Sequence, residues 1–215
     1  VLSSAFTILF LFWTISYFAK KILSGSSEFT KKNAIAIFAS AIAGSLAYAF
    51  SDTFWFSAVE AEVYANSSLF TAIVFWAITK WERVSDEKYS NRWLIFIAYM
   101  MGLSIGVHLL NLLALPAIVF VYYFKKYKTS KRGIFYASLI SVVLVGFLMY
   151  GIIQGYVFIA SKFELLFVNQ IGFNFNVGLF TFLILTGLLL IFGIWYSMRK
   201  KKVVLNTIVT AIAVI

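Results

Sequence analysis

Apolar runs close to or beyond the length of a bilayer crossing follow one another along nearly the whole of this 215-residue chain. Runs of about 18 residues or more read as transmembrane helices, because a helix closes its own backbone hydrogen bonds where no water can. The chain is 62% hydrophobic and 12% charged, against about 45–50% and about 25% in a soluble domain. A soluble core of this size has no need of such runs. The expected fold is all-α: a polytopic transmembrane helical bundle forming a single transmembrane domain over residues 1–215.

The expected spans are about seven plus a truncated eighth. The first covers about 1–19, the second 33–50 and the third 65–79. The stretch 93–124 holds 32 residues, about 48 Å as one helix against a hydrocarbon core of about 30 Å. It is read as two short helices, spans four and five, meeting near Gly106 to His108. Span six covers 133–155, a semi-polar loop reaches 176, span seven ends near 198, and a run begins after 202. Val1 is not Met, and the last run is too short to span, so both ends read as cut from something longer.

The two-helix reading sorts the charges. It places 17 of the 18 Lys and Arg residues on one side, with Lys162 the exception. Such a bias marks the cytoplasmic side. It also accounts for the +10 net charge without nucleic acid, because the basic residues stand in short clusters between apolar runs. Asp52, Glu60, Glu62 and Glu164 fall on the opposite, non-cytoplasmic side with almost no basic company, so chemistry is expected there. With no cysteine and one histidine, thiolate chemistry and a histidine-rich metal site are excluded, and no metal or cofactor is expected.

Three outward segments carry the candidate residues. In the loop 51–64, S-D-T-F-W-F-S-A-V-E-A-E-V-Y, a helix over 60–71 would align Glu60, Tyr64, Ser67 and Thr71 on one face, with Glu62 pointing elsewhere. An interfacial aromatic belt with solvated carboxylates is the other reading of this loop. Asn66-Ser67-Ser68 also matches a glycosylation sequon, a weak pattern this close to a span. In 102–116, G-L-S-I-G-V-H-L-L-N-L-L-A-L-P, a persisting helix would align Ser104, His108 and Asn111. An ionisable group at membrane depth is a functional-site hypothesis by default; a histidine satisfied by a neighbouring helix is the alternative. In 161–178, Phe163, Leu166 and Phe167 among Lys162, Glu164 and Asn169 read as a helix lying on the membrane. Lys162 there suits an anionic headgroup or a simple salt bridge to Glu164.

These three segments resemble the protein O-mannosyl-transferase family of polytopic membrane proteins, similar in turn to the wider GT-C glycosyltransferases, and the likeness extends over nearly the whole chain. The resemblance implies transfer of a sugar, mannose, from a polyprenyl-phosphate carrier to protein Ser or Thr on the non-cytoplasmic side, with a bacterial inner membrane and a periplasmic site as the setting. Its partners would be the lipid-linked sugar, a protein acceptor and the bilayer. It implies a carboxylate that takes the proton of the acceptor hydroxyl, with Glu60 or Glu62 positioning hydroxyls. His108 or Lys162 would stabilise the departing phosphate. Asp52, Tyr64, Asn111, Glu164 and Asn169 complete the expected substrate-binding set, and the three segments are expected to converge. The family's usual catalytic Asp stands in a W-D-C-G-E-F-like loop that would precede Val1, so this chain is expected to be a fragment inactive alone. A transporter, whose broken helices also carry polar residues, and a structural subunit without catalysis are the rival readings.

Overall fold

The computed structural model describes residues 1–23, 30–60 and 63–215. The described residues are 86% helical, with no strand among them, and they divide into two compact units, residues 1–114 together with Ile215, and residues 115–214.

The first unit contains α1 (Leu2–Leu23), α2 (Lys31–Ala49), α3 (Asp52–Val59), α4 (Tyr64–Val84) and α5 (Asn91–Ile105), followed by a 3-10 stretch, Leu109–Ala114. Local chemistry sets several of these limits. The Thr30 hydroxyl accepts from the Asn33 amide at 3.2 Å, starting α2, an ordinary side-chain cap for a helix N-terminus. Lys20 and Lys21 stand in the last turn of α1, where cations complement the helix dipole. α1 packs between α2 and α4, and α4 packs on α5. Val74, Ala77, Ile78 and Trp81 of α4 are all at most 1% exposed. Their spacing is that of a single helical face turned to a core. On the outside the polarity is inverted relative to a soluble protein: Ile35 and Phe38 of α2 stand largely exposed, as lipid-facing side chains do.

The second unit contains α6 (Leu115–Lys126), α7 (Lys131–Gly146), a π-helical stretch Phe147–Gln154, α8 (Gly155–Leu165), a second π stretch Leu166–Ile171, α9 (Val177–Arg199) and α10 (Val203–Val214). α6 pairs with α7, α8 with α9 and α9 with α10. From Lys131 to Ile171 the helix is continuous for 41 residues, about 60 Å. This corrects the expected loop after residue 155. Polar side chains at 161–170 are compatible with a helix, and the stop comes at Gly172, in the left-handed region at φ 82°. There the Phe173 amide donates to the Phe167 carbonyl at 3.0 Å, closing the wide last turn as the chain leaves the helix.

Each expected span has its helix. Among the described residues, five stretches are long and apolar enough to cross a membrane, or six if α3 and α4, which lie at 116° to one another, form one broken span. The shorter apolar helices are α5 and α10. The expected interruption within 93–124 is present, with α5 ending at Ile105 and the next helical turn starting at Leu109.

Candidate functional site

The interruption after α5 positions the only histidine. Its amide donates to the Ser104 carbonyl at 2.7 Å. Its Nδ1 accepts from the Leu110 amide at 3.2 Å, which leaves Nε2–H as the donor of the neutral ring. The imidazole is half-buried and lies 5.6 Å from the Tyr64 ring, centroid to centroid.

One turn further on, Asn111 is 5% exposed and bonded through both its amide oxygen and its amide nitrogen. Its Oδ1 accepts from Ser67 Oγ at 2.9 Å and from Thr71 Oγ1 at 2.6 Å. Its Nδ2 donates to Ser104 Oγ. A buried amide with these bonds made rigidifies its surroundings, whereas one left bare is costly. The first turns of α4, the end of α5 and the 3-10 stretch are thereby tied through one side chain.

Two alignments that depended on an unbroken helix do not form here. The helix does not persist from Ser104 to Asn111, because α5 ends at Ile105; the two side chains meet across the break, and His108 turns to Tyr64. Nor does α4 reach back to Glu60, since α4 begins at Tyr64 and Glu60 closes α3 with extended backbone, ψ 143°. The stripe is therefore Tyr64, Ser67 and Thr71, with Glu60 exposed ahead of it. Asp52 is exposed in the first turn of α3, where a carboxylate complements the helix dipole. Glu62 lies outside the described residues.

Ser67 and Thr71 also line a cavity of about 570 Å³ between α1, α2 and α4, with Thr7, Thr14 and Tyr48 among its other walls. Thr7 and Thr14 donate to the carbonyls of Ser3 and Phe10, at 2.9 and 2.8 Å. With Ser67 and Thr71 committed to Asn111, these four hydroxyls have spent their hydrogens, and their remaining capacity is to accept. Such a cavity suits a ligand rich in hydroxyl donors.

In the second unit, Glu164 holds the N-terminus of α9. Its Oε1 accepts from the Asn176 amide at 2.5 Å and its Oε2 from the Leu179 amide at 2.8 Å. These are donors that α9 cannot satisfy internally. The anticipated Lys162–Glu164 salt bridge is thus replaced: the Lys162 ammonium lies 5.2 Å from the Phe158 ring centroid. Asn169 is exposed in the second π stretch. Sequence reasoning noticed Ser67, Thr71 and Ser104 as helical stripes but left them out of the binding set; their partner, Asn111, is what gives them a role.

The model of the protein O-mannosyl-transferase TMEM260 N-terminal domain matches residues 1–131. The chain belongs to this family. The match takes in every member of the cluster around Asn111 and His108. Comparison with curated proteins and with solved structures finds no match. Membership in the O-mannosyl-transferase family agrees with the resemblance carried by the outward segments 51–64 and 102–116; the third, 161–178, lies beyond the matched residues. The apolar helices make this family member an integral membrane protein.

Proposed function

We propose that this chain belongs to the membrane core of a protein O-mannosyltransferase, moving mannose from a polyprenyl-phosphate carrier to protein Ser or Thr on the non-cytoplasmic side. The observation that carries the reading is the cluster within the family match: a histidine donor held at a helix break beside hydroxyls that can only accept. The acceptor hydroxyl gives its proton to a carboxylate while its oxygen attacks the anomeric carbon. The bond from that carbon to the lipid phosphate breaks, and the phosphate leaves with the electron pair. His108 Nε2–H donates to the departing phosphate, Ser67 and Thr71 accept from sugar hydroxyls, and Glu60 positions the acceptor. Developing charge met by a preformed donor is worth most in a water-poor site.

The test is transfer of labelled mannose from polyprenyl phosphate to a Ser/Thr peptide by the intact protein, with β-elimination used to release the product. Label on the peptide, released by base, is the expected result. Label accumulating inside sealed vesicles with none on the peptide would replace this reading with transport.

The sidedness has its own test, and the chain's lack of cysteine gives it a clean background. Cysteines at Ser57 and Ser161 should react with an impermeant thiol reagent in intact cells, and one at Ser130 should not. Reaction at position 130 would reverse the arrangement.

A further inference from the structure

A second cavity, of about 380 Å³, lies at the other end of the α1–α2–α4 packing. Thr71 and Arg83 are twelve residues apart on α4, about 18 Å along the helix, so this cavity is separate from the Asn111 cluster. Its wall includes Ser16, Lys20, Lys80 and Arg83, with Trp13 and Phe38 at its flank, and no carboxylate among the described residues lines it. The nearest acid on α4, Glu82, is already engaged: it pairs with Lys21 and accepts from the Tyr17 hydroxyl at 2.9 Å. Lys80 rests over the Trp76 ring, 5.1 Å from its centroid, a contact that leaves its ammonium hydrogens available to an acceptor.

Ser16 supplies an independent observation. Its Oγ is buried, lines the cavity, and has no hydrogen-bond partner among the described residues. A buried hydroxyl without a partner is costly, and a ligand offering acceptor oxygens would satisfy it. The cavity thus offers an unsatisfied hydroxyl and clustered positive charge, a donor set that fits phosphate oxygens, which a guanidinium grips in a planar, two-point fashion. Trp13 and Phe38 are exposed, at 42% and 55%, and extend this polar wall into an apolar surface that a hydrocarbon chain can cover.

We propose that this cavity binds an anionic phosphate group, held by Arg83, Lys80 and Ser16, with a membrane phospholipid as its source. Basic pockets between transmembrane helices take anionic headgroups by this chemistry.

The test is native mass spectrometry of the intact protein from membranes containing phosphatidylglycerol and phosphatidylcholine, with and without excess inorganic phosphate. Phosphatidylglycerol should be retained in preference to phosphatidylcholine. A Lys80→Gln, Arg83→Gln variant should retain it about tenfold less well or worse, from the loss of two headgroup charges. The Lys31→Gln, Lys32→Gln variant removes as much charge outside the cavity and should change retention less than about twofold. Ser16→Ala, which leaves the charge intact, should weaken retention by about fivefold, as for one hydrogen bond. Retention that resists inorganic phosphate identifies the lipid headgroup, and displacement by it identifies soluble phosphate at the same site. Equal losses in the two charge variants, no preference between the lipids, or no effect of Ser16→Ala would overturn the proposal.

Discussion

Replacing His108 with alanine in the intact protein should lower mannose transfer per folded molecule by about 10²- to 10³-fold, the usual cost of losing one preformed donor to developing charge. The imidazole's packing duties are light. It is half-buried, touches the Tyr64 ring, and accepts one backbone bond from Leu110. The Asn111 network beside it does not depend on the ring, since its bonds run to Ser67, Thr71 and Ser104. Membrane insertion and yield should therefore change little. His108→Gln, whose amide nitrogen can stand near the position of Nε2, should recover part of the rate. Glu60→Gln tests the acidic side, and because Glu60 is exposed its replacement should lower transfer without affecting stability. Unchanged turnover in both His108→Ala and Glu60→Gln would remove these residues from the mechanism. A lower yield with normal turnover would make His108 a packing residue.

The largest effect on stability is expected at Gly178. A Cβ there would lie 2.6 Å from both Glu164 Cα and the Phe163 carbonyl oxygen, backbone atoms that cannot rotate away. Gly178→Ala must therefore push α9 from α8, and the displacement stretches the two bonds by which Glu164 holds the start of α9. Overpacking alone costs about 1–3 kcal/mol, and weakened bonds to a charged group add to it, about 1.5–3 kcal/mol if fully lost. Against a total stability of about 5–15 kcal/mol that is a large fraction, read as a lower unfolding midpoint in denaturant. Gly187→Ala on the same helix is the comparison, because a Cβ there meets nothing within 4 Å. It should be neutral or slightly stabilising. Equal midpoints for the two variants would show that the α8–α9 approach is not what limits this unit.

Helices were legible because apolar runs are long-range signals that survive local noise. The break at 106–108 was legible too, from a 32-residue run that one bilayer cannot hold. Periodicity alone could not decide which polar residues meet at either edge of the first unit's cluster. A spacing of four joins Glu60 to Tyr64 on paper, but it cannot register that α3 and α4 lie at 116° to one another. The same spacing joined Ser104 to His108, where the contact that forms is between Ser104 and Asn111 across a gap in the helix. In the second unit, Lys162, Glu164 and Asn169 read as part of a surface helix set apart from span six, because the stretch after residue 155 is semi-polar. Polarity is a weak helix breaker, and the helix ran on until a glycine could adopt positive φ. Glu164 took its partners twelve and fifteen residues away, on the far side of a turn, where no local pattern extends.

The shared acceptor at Asn111 bears on how this part of the molecule can move. Ser67 and Thr71 both end on one oxygen, so α4 is keyed against the 3-10 stretch at a single notch. A stroke of one turn along its axis, about 5.4 Å, would bring Val63 or Phe75 to face that oxygen in place of one hydroxyl. Rotation by one residue, about 100°, would carry both hydroxyls off it. Neither piston nor spindle motion keeps the notch filled. A tilt of α1 and α2 about a fixed α4 leaves both bonds in place, so tilting is the motion expected beside this notch.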